Sequence, residues 1–327
     1  MQSYKSLPVR VLLILACVLV IAVFKSIGAG SSGVQHEKGR NAAKESAQPG
    51  TESDVVRLSA VAKPAGPRVK SASLTAFDAA ATSNAQLQNT LEWSFGGKQQ
   101  RGWMLYRPLI GDLIGTVDDS VGSDFAMTLS QWQRQTGAEP TGVLDGGTWS
   151  QMISVFQSRR TSIKSYATPN QLVTIPPSDC YDPSRPEELR SAESETYAAY
   201  KRMVAAAAGD SSLGLQVGND GQLAPGEKFL KIVSAYRSRE YQEHLRKQSP
   251  NSGRAGLAVN SPHFTGRALD LYVGGEPVST KDENRAIQTR SVVYKWLVKN
   301  ATRFGFQPYF YEPWHWEYVG ARNNTSK

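Results

Sequence analysis

Cysteine is nearly absent: the 327 residues hold two, Cys17 and Cys180. Cys17 sits inside an apolar run near the start, so the rest of the chain carries a single thiol. An intrachain disulfide framework is therefore excluded there in any redox compartment. Histidine is also scarce, with four in the whole chain, so a histidine-based site has few possible members. The apolar run from Val11 to Phe24 is shorter than the roughly 20 residues that span a bilayer comfortably, and no A-x-A cleavage signature comes after it. With Lys5 and Arg10 before it and Lys25 after it, the run still reads as an export segment over residues 1–30, either a cleaved signal or a retained anchor. A lipoprotein is disfavoured, because Cys17 lies within the apolar stretch instead of after it.

Aromatic residues are almost missing from the next stretch. Between Ser31 and Gln88 only Phe77 is aromatic, amid Ala, Ser, Gly, Lys and Pro. Such a stretch cannot bury enough apolar surface to fold alone. It is expected to be a flexible tether over residues 31–88, spanning roughly 40 Å root-mean-square. The net charge of +8 is weak support for an envelope location, where anionic lipids and wall polymers are met first. It is not a reason to expect nucleic acid.

Aromatics return at Trp93, Phe95, Trp103 and Tyr106, which opens a folded module over residues 89–165. Phe125, Leu129 and Trp132 recur at helical spacing, Thr141-Gly142 marks a turn, and Asp145 precedes a second helix with Trp149, Met152, Ile153 and Phe156. The order F-A-x-x-L-x-x-W-Q, then T-G-V-L-D-x-x-T-W, resembles the small helical peptidoglycan-binding modules that accompany wall hydrolases. A small all-α module that contacts cell-wall polymer is what that resemblance implies. A generic helical hairpin with core aromatics is the alternative.

Residues 166–327 form the last predicted domain, entered through a Pro-rich linker. Its pattern predicts a helix over 187–208, a strand over 229–234, a helix over 238–248, a strand over 268–273 and a long helix over 284–304. Strands and helices without regular alternation argue for α+β.

Two of the four histidines, His263 and His315, lie in short segments that also hold acids, glycine and tryptophan. His36 lies in the tether, and His244 on a charged helix face, so neither is a candidate. His263 and Asp270 are seven apart, which on one helix separates them by about 10 Å, too far to share a zinc bonded at about 2 Å. Gly266 permits a reversal, after which Ala268 to Val273 returns as a strand and brings Asp270 towards His263. With His315 this makes a two-histidine, one-carboxylate set that leaves one position of a zinc ion for water, as catalytic sites do. Buried, hydrogen-bonded histidines without a metal are the bland alternative.

The motifs S-x-H-x-x-G-x-A-x-D (Ser261 to Asp270) and E-P-W-H-W-E-Y (Glu312 to Tyr318) resemble the D-alanyl-D-alanine carboxypeptidases of the VanY type. Y-R-S-x-x-x-Q from Tyr236 and W-L-x-x-N-A-x-x-F-G-F from Trp296 fit the same family. The resemblance implies a zinc D,D-peptidase fold, a small antiparallel sheet with flanking helices. It implies one zinc ion held by His263, Asp270 and His315, with Glu312 as catalytic base and Arg237 facing the substrate. Ser261 either contacts substrate or orients its loop, and Glu317 is a second acid that could be mistaken for the base. The expected activity is removal of the terminal D-alanine from peptidoglycan stem peptides in the cell envelope. An endopeptidase of the same fold and a non-catalytic, zinc-stabilised wall-binding protein are the alternatives. The membrane is a partner only if residues 11–24 are retained, and nucleic acid is not expected to be one.

Overall fold

Trp93 and Phe95 alternate with Glu92 and Ser94, and two glycines come next, a pattern that makes a β-hairpin. In the computed structural model, which describes residues 76–116, 120–161, 166–248 and 260–320, Glu92–Phe95 (β1) pairs antiparallel with Lys98–Arg101 (β2). Gly96 and Gly97 carry the turn with φ of 57° and 78°. The hairpin departs from the all-α module expected here: alternation across four residues outweighs helical periodicity that begins only at Phe125. The proposed export segment, residues 1–30, lies outside the described residues. Among the described residues no helix is long and apolar enough to cross a membrane.

Four helices flank the hairpin along the chain: Ala76–Thr90 (α1), Arg107–Ile114 (α2), Ser123–Gln135 (α3) and Gly146–Ser158 (α4). Asp145 caps α4, its carboxylate accepting from Thr148 N at 2.8 Å. The last part of the segment expected to be tether is helical. Its fold comes from a partner that composition does not reveal: Asn84, fully buried, donates to Gly142 O and accepts from Leu144 N, both at 2.8 Å. Gly142 has a φ of 69°, and a Cβ there would lie 2.7 Å from Ala126 O. The Thr141-Gly142 turn is thus clamped between α1 and α3.

In the C-terminal part, Leu172–Thr174 (β3) pairs with Ser191–Glu193 (β4), and Ser194–Ala208 (α5) comes next. The main sheet consists of Ile232–Ser234 (β5), Ala268–Leu271 (β6), Phe306–Pro308 (β7) and His315–Tyr318 (β8), all antiparallel in the order β5-β6-β8-β7. Arg239–Gln248 (α6), Asp282–Arg290 (α7) and Val292–Asn300 (α8) flank it. The α+β class is as expected. Two predicted helices are shorter than their patterns. Residues 191–193 join a sheet, so α5 starts only after Glu193, whose carboxylate accepts from Thr196 N at 2.8 Å. The predicted long helix breaks at Ser291, which has an extended ψ of 144° and caps α8 through Tyr294 N at 3.1 Å.

One apolar core runs through both parts. Phe310, just after β7, is 1% exposed. Its ring lies 4.7 Å from Phe95, 5.6 Å from Tyr106, 6.1 Å from Phe156 and 6.3 Å from Trp149, measured between centroids. Arg285 of α7 is also buried, donating to Tyr106 Oη at 2.9 Å and Gln100 Oε1 at 3.1 Å. Aromatic contacts of this kind add about 0.5–1.5 kcal/mol each beyond the burial itself.

Because the core is shared, Phe310→Ala should cost about 3–5 kcal/mol and unfold both parts in a single transition. Urea denaturation followed by tryptophan fluorescence and far-UV circular dichroism checks this. Two separate transitions would contradict a common core.

Candidate metal centre

Strand pairing does the first half of the assembly. Asp270 is the register partner of Ser234 on one side and of His315 on the other, so the carboxylate and the imidazole stand side by side on β6 and β8. His263 arrives from the connection before β6. Ser261 is buried, and its Oγ accepts from His263 N at 3.4 Å, starting a 3-10 turn over Pro262–Thr265. Gly266 ends that turn at φ 68°, packed so closely that a Cβ would meet Glu193 N at 2.9 Å. Only glycine allows both the left-handed turn and the close approach. The chain then reverses, and the seven-residue gap between His263 and Asp270 closes to 3.3 Å between Nε2 and Oδ1.

His263, Asp270 and His315 are all buried, and one candidate ligand atom of each lies within 4.8 Å of the others. His315 Nδ1 is 2.9 Å from Asp270 Oδ1. Tetrahedral zinc with bonds of about 2 Å separates its ligand atoms by about 3.3 Å, close to the spacings found. The outer nitrogens provide a stricter test. His263 Nδ1 lies 2.6 Å from Ala235 O, and His315 Nε2 lies 3.1 Å from Glu317 Oε1. Each ring's outer nitrogen meets a fixed acceptor, which leaves the inner nitrogen facing Asp270, the usual way a metal-binding histidine is oriented. The donor set therefore fits a zinc ion.

Arg237 lies against the same carboxylate. Its Nη2 donates to Asp270 Oδ2 at 2.5 Å and its Nε to Ser234 Oγ at 3.0 Å. Asp270 is buried and Arg237 nearly buried, which makes this an interior ion pair. Burial alone would raise the Asp270 pKa, but His263, Arg237 and the histidine hydrogen bonds hold it well below the usual range. Burial also pushes His263 down to about 4, aided by Arg237 and opposed by Asp270. Burial acts downwards on His315 as well, yet hydrogen bonds to Asp270 and Glu317 outweigh it and carry the value up to about 9. The His315 ring is thus held protonated between the Asp270 and Glu317 carboxylates.

Glu312 is 7% exposed in the turn between β7 and β8, with His315 N donating to its backbone O at 2.9 Å. Burial pushes its carboxyl up to about 8, against the fields of His315, Arg237 and Arg160. All six residues singled out in the sequence, Arg237, Ser261, His263, Asp270, Glu312 and His315, converge on one end of the sheet. Trp316 does not line the centre: alternation along β8 turns it to the opposite face, with its ring 6.2 Å from Tyr294. The same alternation puts Glu317 on the face of His315, a signal legible from the H-x-E spacing within a strand. Arg160 had no local signal. Its Nε and Nη2 donate to Glu317 Oε1 at 2.9 and 2.6 Å, and Thr161 N donates to Oε2 at 2.9 Å.

Residues 221–321 match the family model described as VanY, D-alanyl-D-alanine carboxypeptidase. The matched segment is a VanY-type domain. It holds all six candidate residues, whereas Arg160 precedes it. No curated protein matches the chain.

The raised Glu312 pKa makes the stability of the metal-free protein depend on pH. Unfolded, the group titrates near 4.5, and folded near 8, so between these values the folded state binds more protons. Stability due to this group falls as pH rises through that window. Chelator-treated Glu312→Gln protein lacks that slope. Relative to it, wild type should lose on the order of 3–5 kcal/mol between pH 5 and pH 8, measured by urea denaturation at both values. Parallel pH profiles would show that Glu312 is not held neutral.

Proposed function

We propose that the chain is a zinc-dependent D,D-carboxypeptidase of the cell envelope that removes the terminal D-alanine from peptidoglycan stem peptides. The observation that carries this reading is the buried His263–Asp270–His315 set with both outer imidazole nitrogens fixed, beside a buried glutamate, inside the VanY-type segment.

In this reading His263 Nε2, Asp270 Oδ1 and His315 Nδ1 hold the ion. When bound, zinc supplies Lewis-acid polarisation of the scissile carbonyl and lowers the pKa of water towards neutrality. Glu312 takes a proton from the attacking water and returns it to the leaving amine of D-alanine, the ordinary course of general base and then general acid. Glu312, neutral by burial alone, would be ionised and able to act as a base once cationic charge is added at the site. Arg237 fixes Asp270 through Nη2. Its Nη1 end, held only at 3.4 Å from Gln242 Oε1, presents positive charge where the substrate develops negative charge. Ser261 acts at the substrate side through the turn it caps.

An export segment over residues 1–30 and a tether that ends before α1 belong to the same proposal, as does a division of roles between residues 89–165 and 166–327, which share one core. So does contact of residues 89–165 with wall polymer, which is supported by the sequence pattern of the two helices. Trp93, Phe95, Trp103, Tyr106 and Trp149 are buried, so that contact would use the polar outer surface of the module.

Mass spectrometry of defined muropeptides incubated with the zinc-loaded full chain tests the activity. Pentapeptides should lose a single terminal D-alanine, and Glu312→Ala should lower turnover about a hundredfold to ten-thousandfold while retaining zinc. Cleavage confined to cross-links would overturn the carboxypeptidase in favour of an endopeptidase. No product from wild type would leave a non-catalytic wall protein.

A further inference from the structure

The strongest unassigned group is a cation that reaches the metal centre from outside the VanY-type segment. Arg160 lies just past α4, 157 residues before Glu317 in sequence. Its side chain is 20% exposed and that of Glu317 is fully buried. Three bonds hold the Glu317 carboxylate from the side of the helical module: two from the Arg160 guanidinium and one from Thr161 N. Gln157 Oε1 accepts from Arg160 Nη1 at 3.1 Å, and the guanidinium lies over the Tyr309 ring, 3.9 Å from its centroid. The Tyr309 ring in turn meets His315 edge-on at 5.8 Å.

Glu317 Oε1 is therefore shared. It accepts from Arg160 and also from His315 Nε2, the nitrogen that must keep its proton if Nδ1 is to face a metal. A buried carboxylate without its cation is costly and has no fixed orientation. Resting on the proposed metal site, we infer that Arg160 is a positioning residue, through which the N-terminal module fixes Glu317 and thereby the metal-binding orientation of His315. The helical module is on this inference a part of the metal centre's support, as well as a neighbour sharing its core. Partners one step removed from a ligand are worth about 10- to 100-fold in metal affinity, and Arg160 acts one step further out through two short charge-assisted bonds.

The test is zinc affinity of the metal-free full chain, by competition with a chromophoric chelator, for wild type, Arg160→Met, Arg160→Lys, Glu317→Gln, Arg160→Met/Glu317→Gln and Arg285→Met. Arg285 serves as the control because it bridges the same two parts of the chain, through Tyr106 and Gln100, without touching Glu317. Arg160→Met should bind zinc about tenfold more weakly or worse, and Arg160→Lys should recover part of the loss. Arg285→Met should melt at a lower temperature yet bind zinc nearly as wild type does. The double variant Arg160→Met/Glu317→Gln should be no weaker than the weaker single one, since both act through one contact. Equal losses in Arg160→Met and Arg285→Met would reduce Arg160 to packing and overturn the inference, as would wild-type affinity in Arg160→Met. If Arg160→Met does not fold, Arg160→Lys against Arg285→Met decides on the same criteria. Wild type that takes up no zinc would overturn the metal site and this inference together, whereas a zinc-binding wild type with indifferent Arg160 variants would overturn the inference alone.

Discussion

Asp270 is a buried carboxylate engaged at both oxygens, and the C-terminal domain is arranged around it. Oδ2 accepts from Arg237, while Oδ1 meets His263 and His315. An isolated ion in such surroundings would be strongly disfavoured, so every element that carries one of its partners must dock correctly. Arg237 comes just after β5, His263 precedes β6 and His315 opens β8. The order β5-β6-β8-β7 places β6 between the other two. The sheet is small, and β6, one of its two inner strands, carries a charge that the elements on either side must satisfy.

The same interaction explains why the centre suits a dication. Carboxylates as deeply buried as Asp270 and Glu317 balance only if cations accompany them. In the metal-free protein the balance comes from Arg237 and from a proton on His315 that Asp270 and Glu317 retain. On the proposed reading a metal would take the place of that proton among the His263, Asp270 and His315 donor atoms. Glu312, kept neutral by burial, is acted on by the same charges: His315 and Arg237 favour its ionised form and Asp270 opposes it.

The support extends outward in layers. Ala235 O and Glu317 orient the imidazoles, Arg160 and Thr161 orient Glu317, and the Phe310 cluster holds the segment that bears Arg160 against the sheet. Packing at such density transmits small displacements. A domain division drawn along the sequence therefore cuts through a single core.

Locality explains which features were legible in the sequence. His263, Gly266 and Asp270 fall within eight residues, and Glu312 and His315 within four, so their spacing and turn chemistry announced a site. Asp145 as a helix cap and Trp93 and Phe95 as core were similarly local. The end of the tether was not, because α1 is fixed by Asn84 reaching residues about sixty positions away. Nor was the break at Ser291, since a serine within a helical pattern becomes a cap only when packing turns the chain there. Sequence by itself determined the candidate donors, the α+β class and the reversal at Gly266, all of which depend on residue type and short spacing. Tertiary structure alone decided which nitrogen of each histidine faces inward, that Arg237 bonds to Asp270, and that Arg160 reaches Glu317. Those outcomes depend on strand register and on contacts between distant segments, and no local pattern encodes either.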